Sequence, residues 1–242
     1  MIRPPVLAAC GLAFEAAIAA GPGVAAISGP GPARLAARLD AVLGAPSAPG
    51  RPAWAGIISF GCAAGLDPEL RPGSCVVATG VLTPEGLLEA DPDWARALSA
   101  CLPEARQGRL AGLDLPLLSR EDKAALWHAG GASAADMESH AAALAARRHG
   151  LPFAGVRVVL DPAWRNVPSC ALAGLRADGV TDVWPLLRAL AGAPRELGPL
   201  CALALDSWLA QRALRRARLR LGHALAAPYL SWLEGAPPFS LP

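Results

Sequence analysis

The sequence is poor in the features that most often announce a mechanism. Among 242 residues there is a single lysine, Lys123, and no G-x-x-x-x-G-K, so a Walker-type phosphate loop is excluded. No G-x-S-x-G is present either, which removes the nucleophile elbow of the serine hydrolases. The four histidines, His128, His140, His149 and His223, form no H-E-x-x-H and no i, i+4 pair, so no helix face offers two metal ligands and no metal is expected. The six cysteines are scattered without a C-x-x-C, which argues against a disulfide framework or a zinc site. No apolar run reaches the roughly 20 residues of a spanning helix. The N-terminus lacks the basic region, apolar run and cleavage site of a signal peptide, so a cytoplasmic protein is expected.

What is present is an apolar, weakly charged chain. Hydrophobic residues make up 53% and charged residues 17%, with 22 Lys+Arg against 20 Asp+Glu, a net charge of +2 and a mean hydropathy of +0.35. That composition excludes a chain disordered in bulk and supports one sizeable core. The near-neutral balance and the lack of a binding motif argue against a nucleic-acid partner.

Short apolar runs bounded by Gly or Pro predict strands at 6–10, 24–28, 54–60, 75–81 and 153–160. Between them, helical spacing appears at 33–43, 94–101, 121–129 and 137–149. This alternation predicts an α/β domain with helices on both sides of a sheet. The Pro/Gly-rich stretches 44–52 and 161–168 read as loops. From about residue 182 the pattern is helical, at 183–191 and 197–221, with a Pro-containing tail at 235–242. The expected organisation is an α/β domain over 1–190 and a helical C-terminal extension over 191–242 packed on it.

Three segments carry candidate chemistry. Ser59-Phe60-Gly61-Cys62-Ala63-Ala64-Gly65 places a glycine-rich turn after a buried strand, which serves either as a tight connection or as a point where backbone amides approach a ligand. Asp136-Met137-Glu138-Ser139-His140 opens a helix, where Asp136 is either an N-cap or one of a pair of functional acids. The strand 151–161 delivers Asp161 at its C-terminal end, the side on which open α/β sheets bind ligands.

At these residues the sequence resembles the nucleoside phosphorylase and nucleosidase superfamily, which includes methylthioadenosine/S-adenosylhomocysteine nucleosidase and the purine nucleoside phosphorylases. The resemblance spans about residues 5–165 and includes Gly11-Leu12-Ala13-Phe14-Glu15-Ala16 and Ser28-Gly29-Pro30-Gly31 as the first two loops. It is closest to the hopanoid-associated phosphorylase branch. It implies a single-domain, three-layer α/β/α fold around a central mixed sheet, and a homo-oligomer. It also implies cleavage of the N-glycosidic bond of an adenosylated hopanoid by phosphorolysis, with inorganic phosphate as co-substrate and no cofactor. The alternative is hydrolysis of methylthioadenosine or S-adenosylhomocysteine. A binding module without catalysis is disfavoured by the presence of both Asp161 and Glu138.

On that resemblance Asp161 is the general acid that protonates the departing purine, because the base leaves an oxocarbenium-like sugar only when its own charge is neutralised. Glu138 is the ribose ligand, Met137 packs on the sugar, and Glu15 occupies the loop whose acid activates water in the hydrolytic relatives. Gly61, Cys62 and Phe153 complete the expected substrate contacts, Phe153 being equally readable as core. Gly11, Ser28, Gly29 and Ser59 are the candidate phosphate donors. The sequence departs from the phosphorylases here, with Ser59 and Cys62 where they carry Arg and Ser. Arg34 and Arg157 are either cations of the site or ordinary surface and structural arginines.

In the last predicted helix Arg212, Arg215, Arg216 and Arg220 recur at spacings of three to four beside a stripe of Leu214, Ala217, Leu221 and Leu225. Either the stripe packs on the domain with the arginines in solvent, or the helix docks on an anionic membrane surface, flanked by Trp208, Tyr229 and Trp232. The second reading makes the protein peripheral at the inner membrane face.

Overall fold

The computed structural model describes residues 4–45, 54–173 and 182–228. Its first strand, β1 (Val6–Cys10), is buried along its whole length, as a strand covered on both faces must be. Val6, Ala8 and Cys10 enter one core and Leu7 and Ala9 the other, the two-residue period dividing them between opposite faces. The chain continues through α1 (Ala13–Ala19), β2 (Val24–Ser28), α2 (Pro32–Leu43), β3 (Gly56–Gly65), β4 (Cys75–Thr83), β5 (Gly86–Glu89) and α3 (Pro92–Cys101). Then follow β6 (Arg106–Gly112), α4 (Arg120–Gly130), β7 (Ala134–Asp136), α5 (Ser139–Arg148), β8 (Phe153–Asp161), α6 (Ser169–Ala173), α7 (Val183–Gly192) and α8 (Leu197–Leu221).

The eight strands form one mixed sheet, and with the helices they make the expected single-domain α/β fold. The order β2-β1-β3-β7-β6-β4-β5 is joined a second time by β8, which pairs in parallel with β3 and antiparallel with β4. Strands β3, β8, β4, β6 and β7 therefore close on one another in a ring. Helices α2 and α5 cover one face, where Leu35 and Leu39 meet the buried alanines of α5, whose small side chains allow close approach. Helices α1, α3 and α8 cover the other, with Trp94, Leu98, Leu214 and Leu221 in one cluster.

The sequence expectation placed the third strand at 54–60, but β3 runs on through the glycine-rich segment to Gly65. Ala and Gly there fit a strand hemmed in by neighbours on both sides. Strands β5, β6 and β7 were not anticipated. β6 carries two arginines and a glutamine in seven residues and β7 has only three residues, so neither shows an apolar run.

The apolar stripe of α8 and the turn after it packs on the domain. Leu214, Ala217, Leu221 and Leu225 are all buried against the domain, and Trp94 Nε1 donates to the Leu225 carbonyl at 2.9 Å. Arg218 holds the Ala19 and Gly222 carbonyls, while Arg212, Arg215, Arg216 and Arg220 face outward, Arg212 over the Trp208 ring. Tyr229, Trp232 and the 235–242 tail lie outside the described residues. Among the described residues no helix is long and apolar enough to cross a membrane.

Candidate active site

Strands β1, β3 and β8 run parallel, so their C-terminal ends open on the same side of the sheet, and β7, antiparallel to the end of β3, brings Asp136 in beside them. Asp136 Oδ1 accepts the amides of Glu138 and Ser139 at 2.8 and 2.6 Å, and its Oδ2 accepts the Ser139 hydroxyl at 2.6 Å. It thus caps the chain ahead of α5 and delays the helix start from the expected 137 to Ser139. Met137 and Glu138 are left in the connection, facing a pocket.

Arg157 of β8 is the hub of this end of the sheet. Its guanidinium is fully buried and donates to Ser59 Oγ (2.6 Å), Asp136 Oδ1 (3.0 Å), Cys62 O (3.1 Å) and Ser139 Oγ (3.2 Å), with Glu138 Oε2 at 3.8 Å. A permanently charged fork is the group best suited to such a site, because it cannot lose its proton on burial. Glu138 also accepts the Gly31 amide at 3.1 Å. Burial nevertheless pushes its carboxyl up to about 7, against the pull of Arg157.

Glu15, in the first turn of α1, is held chiefly by main-chain amides, with the Cys62 thiol beside it. Its Oε2 accepts the amides of Gly11 and Leu12, each at 2.9 Å, and its Oε1 accepts the Cys62 amide at 2.7 Å. Burial raises its pKa, Arg157 and the three amides opposing the rise. Two glycines make room for the acids. A Cβ on Gly61 would lie 2.7 Å from the Glu15 carboxylate, and one on Gly11 would lie 2.8 Å from that of Glu138.

Asp161 closes β8, opposite a register shift between Ala63 and Ala64 in β3. Bulges of this kind re-aim side chains beside functional sites. Its Oδ2 accepts Lys123 Nζ at 2.6 Å, and burial raises its pKa to about 6 in spite of the lysine.

Glu15, Asp136, Glu138 and Asp161 line one cavity of about 210 Å³, together with Gly11, Cys62 and Met137 and an apolar wall that includes Leu113, Leu115, Leu117, Val167 and Leu172. A larger groove, about 370 Å³, lies between the start of β4 and α8, but of the carboxylates only Glu104 reaches it. Chemistry, not size, selects the smaller one. Among the described residues no group of three or more His, Cys, Asp or Glu side chains is placed to hold a metal.

The structure brings together most of the residues that the sequence singled out and separates others. Glu15, Glu138, Met137, Asp161, Cys62 and Gly11 share the cavity, with Gly61 behind Glu15. Phe153 does not belong to it. It lies in the core at the opposite end of β8 from Asp161, about 26 Å away at 3.3 Å per residue. The proposed phosphate donors are engaged by the protein itself. The Gly11 amide goes to Glu15, the Gly29 amide to the Cys10 carbonyl, and Ser59 Oγ to Arg157 and Ser139, while Ser28 lies in the β1–β2 register outside the cavity. Arg34 is exposed on α2. Sequence reasoning gave Lys123 no role. Its signal was there to be found, since the only lysine of an arginine-rich chain sits inside an amphipathic helix.

The sheet thus gathers four acids around one cavity, two of them beside a buried arginine. A model of the phosphorylase superfamily matches residues 17–170, and the chain belongs to that superfamily, whose members include nucleoside phosphorylases and nucleosidases. No curated protein matches the sequence. Among solved structures it is similar to futalosine hydrolase of Helicobacter pylori, at 14% identity and a TM-score of 0.62 over 92% of this chain and 97% of that one. A mutant methylthioadenosine nucleosidase of the same organism, with 5′-methylthioadenosine in the active site, superposes at a TM-score of 0.64 and 14% identity over 91% and 97% of the chains. A 5′-methylthioadenosine/S-adenosylhomocysteine nucleosidase from Colwellia psychrerythraea, in complex with adenine, matches at 0.60 and 15% over 93% and 94%. At these identities the likeness establishes the fold.

Proposed function

We propose that this protein cleaves the N-glycosidic bond of an adenine nucleoside with water as the nucleophile. The observation that carries the proposal is the Glu15 cradle. Three amides fix both oxygens of a buried acid at the cavity wall and leave one acceptor site, on Oε1, to take a proton from water. Glu138 accepts hydrogen bonds from the ribose hydroxyls and offsets the positive charge that grows on the sugar. Asp161 donates its proton to the leaving purine, and a pKa of about 6 keeps a usable protonated fraction near neutrality.

Water is favoured over phosphate by electrostatics. Four carboxylates line the cavity and Arg157 already serves two of them, so a phosphate dianion would enter a field of its own sign. The apolar wall supports a nucleoside with an apolar 5′ substituent. Both the adenosylated hopanoid implied by the resemblance and 5′-methylthioadenosine meet that description.

Adenine release is to be measured from 5′-methylthioadenosine and from adenosylhopane, each with and without inorganic phosphate. The lipid is presented in anionic vesicles, which the outward arginines of α8 suit. Release that ignores phosphate is expected, with a loss of about 10³-fold or more in the D161N variant. Release that requires phosphate would overturn the hydrolytic reading and restore phosphorolysis. Wild-type turnover by D161N would remove Asp161 as the acid.

A further inference from the structure

Asp161 has a neighbour to which the reaction above assigns nothing. Lys123 is the one buried side chain of α4, and it is fully buried. Lysine is almost never found so placed unless its charge is paired. Its ammonium donates to Asp161 Oδ2 at 2.6 Å, to the Pro162 carbonyl at 3.1 Å and to the Arg165 carbonyl at 2.8 Å, which uses all three of its donors. The same turn is tied to α4 from outside, since Val167 N donates to Leu118 O and Arg120 N to Asn166 Oδ1, each at 2.8 Å. Arg165 in turn pairs with the buried Asp206 of α8.

We propose that Lys123 is a positioning residue for Asp161: it grips Oδ2 and the two carbonyls that follow, and so presents Oδ1 to the purine as the oxygen that gives up the proton. The inference rests on the reading of Asp161 as the acid. In the step it serves, the Oδ1–H bond breaks and an N–H bond forms on the base. The electron pair of the glycosidic bond leaves with the base, and Asp161 becomes a carboxylate beside an ammonium that is already in place. Lys123 transfers no proton. The groups around Asp161 are Lys123 from α4, Asp206 from α8, Cys62 from β3 and Arg165 from its own loop. Of these Lys123 favours the ionised acid and Asp206 opposes it, while the Cys62 thiol is itself kept neutral by burial.

The sign of the effect follows. An adjacent cation lowers a carboxyl pKa by about 1–3 units, so K123M should raise that of Asp161. The alkaline limb of the kcat/KM profile, where the acid loses its proton, should then move up by about one pH unit or more. Meanwhile kcat should fall about 10- to 100-fold as the aim of the carboxyl is lost. A fall in kcat with an unmoved limb would overturn the proposal and leave Lys123 a structural tie. Thermal melts provide a second arm that needs no turnover. D161N strands a buried ammonium, so D161N/K123M should melt above D161N alone, and a double variant melting at or below it would also overturn the pairing. Activity of D161N separates the two readings. If it turns over like wild type, the assignment of the acid fails, while the melts still report on the pair.

Discussion

Two carboxylates of one cavity are held by opposite means. Glu15 rests on three backbone amides, which carry no net charge and cannot be changed by replacing a side chain. Asp161 rests on a lysine from a different helix, which carries a full charge and can be removed by one substitution. Both acids are raised by burial, but only Asp161 has a cation in direct contact to pull it down again. Main-chain support fixes where an acid points and lowers its proton affinity only through uncharged donors, against the larger rise from burial. Side-chain support sets direction and affinity together. One half of the site is therefore locked to the path of the backbone, and the other is open to retuning.

The comparison can be broken most severely at Arg157, the arginine on the Glu15 side of the site. R157M leaves Asp136 and Glu138 buried without their cation, and breaking such a pair costs about 3–5 kcal/mol. A fall on the order of 10 °C in Tm is expected by calorimetry for a chain of this size. A loss below about 1 kcal/mol would mean that water reaches these carboxylates.

The amide cradle can be tested without touching Glu15. In G61A the new Cβ would fall 2.7 Å from the Glu15 carboxylate, a distance real Cβ contacts do not show. The acid must leave the Gly11, Leu12 and Cys62 amides, and kcat should drop about 100-fold, the usual consequence of an ångström-scale misplacement. Steady-state kinetics with kcat unchanged would show that Glu15 is not held as described.

The smallest effect concerns Glu138. Its carboxyl is raised from the usual 4.5 to about 7, so between those values the folded protein binds the proton more tightly than the unfolded chain. The stability that this brings is complete below about pH 4.5 and is lost as pH rises through 7. E138Q cannot ionise. Its Tm relative to wild type should therefore rise from pH 5 to pH 8, by the equivalent of roughly 1–2 kcal/mol. A difference flat with pH would contradict the raised value.

Most of the fold was legible because its signals are local. β1, β2 and β8 announce themselves by unbroken apolar runs, and α2, α3 and α4 by helical periodicity. β6 and β7 were hidden because their pairing is set by strands distant in sequence. The acids of the site were legible as a motif, but their supports were not. Nothing at Gly61 announces that a carboxylate from 46 residues upstream presses on it. Nothing in the single strand that holds Arg157 shows that Ser59, Asp136 and Ser139 converge there. Phe153 was misplaced because a strand of nine residues carries its two ends to opposite sides of the domain.

The contact between Arg165 and Asp206 sets an order of events in the life of the chain. The loop that follows Asp161 is anchored by a residue of α8, and Trp94 closes on the carbonyl of Leu225 beyond it. A nascent chain emerges from its N-terminus and folds as it does so. The sheet and every acid of the cavity are therefore translated well before the helix that steadies the last of them. The site is complete only once α8 has been made, and a chain cut short before α8 would keep its acids but lack the anchor of its final loop.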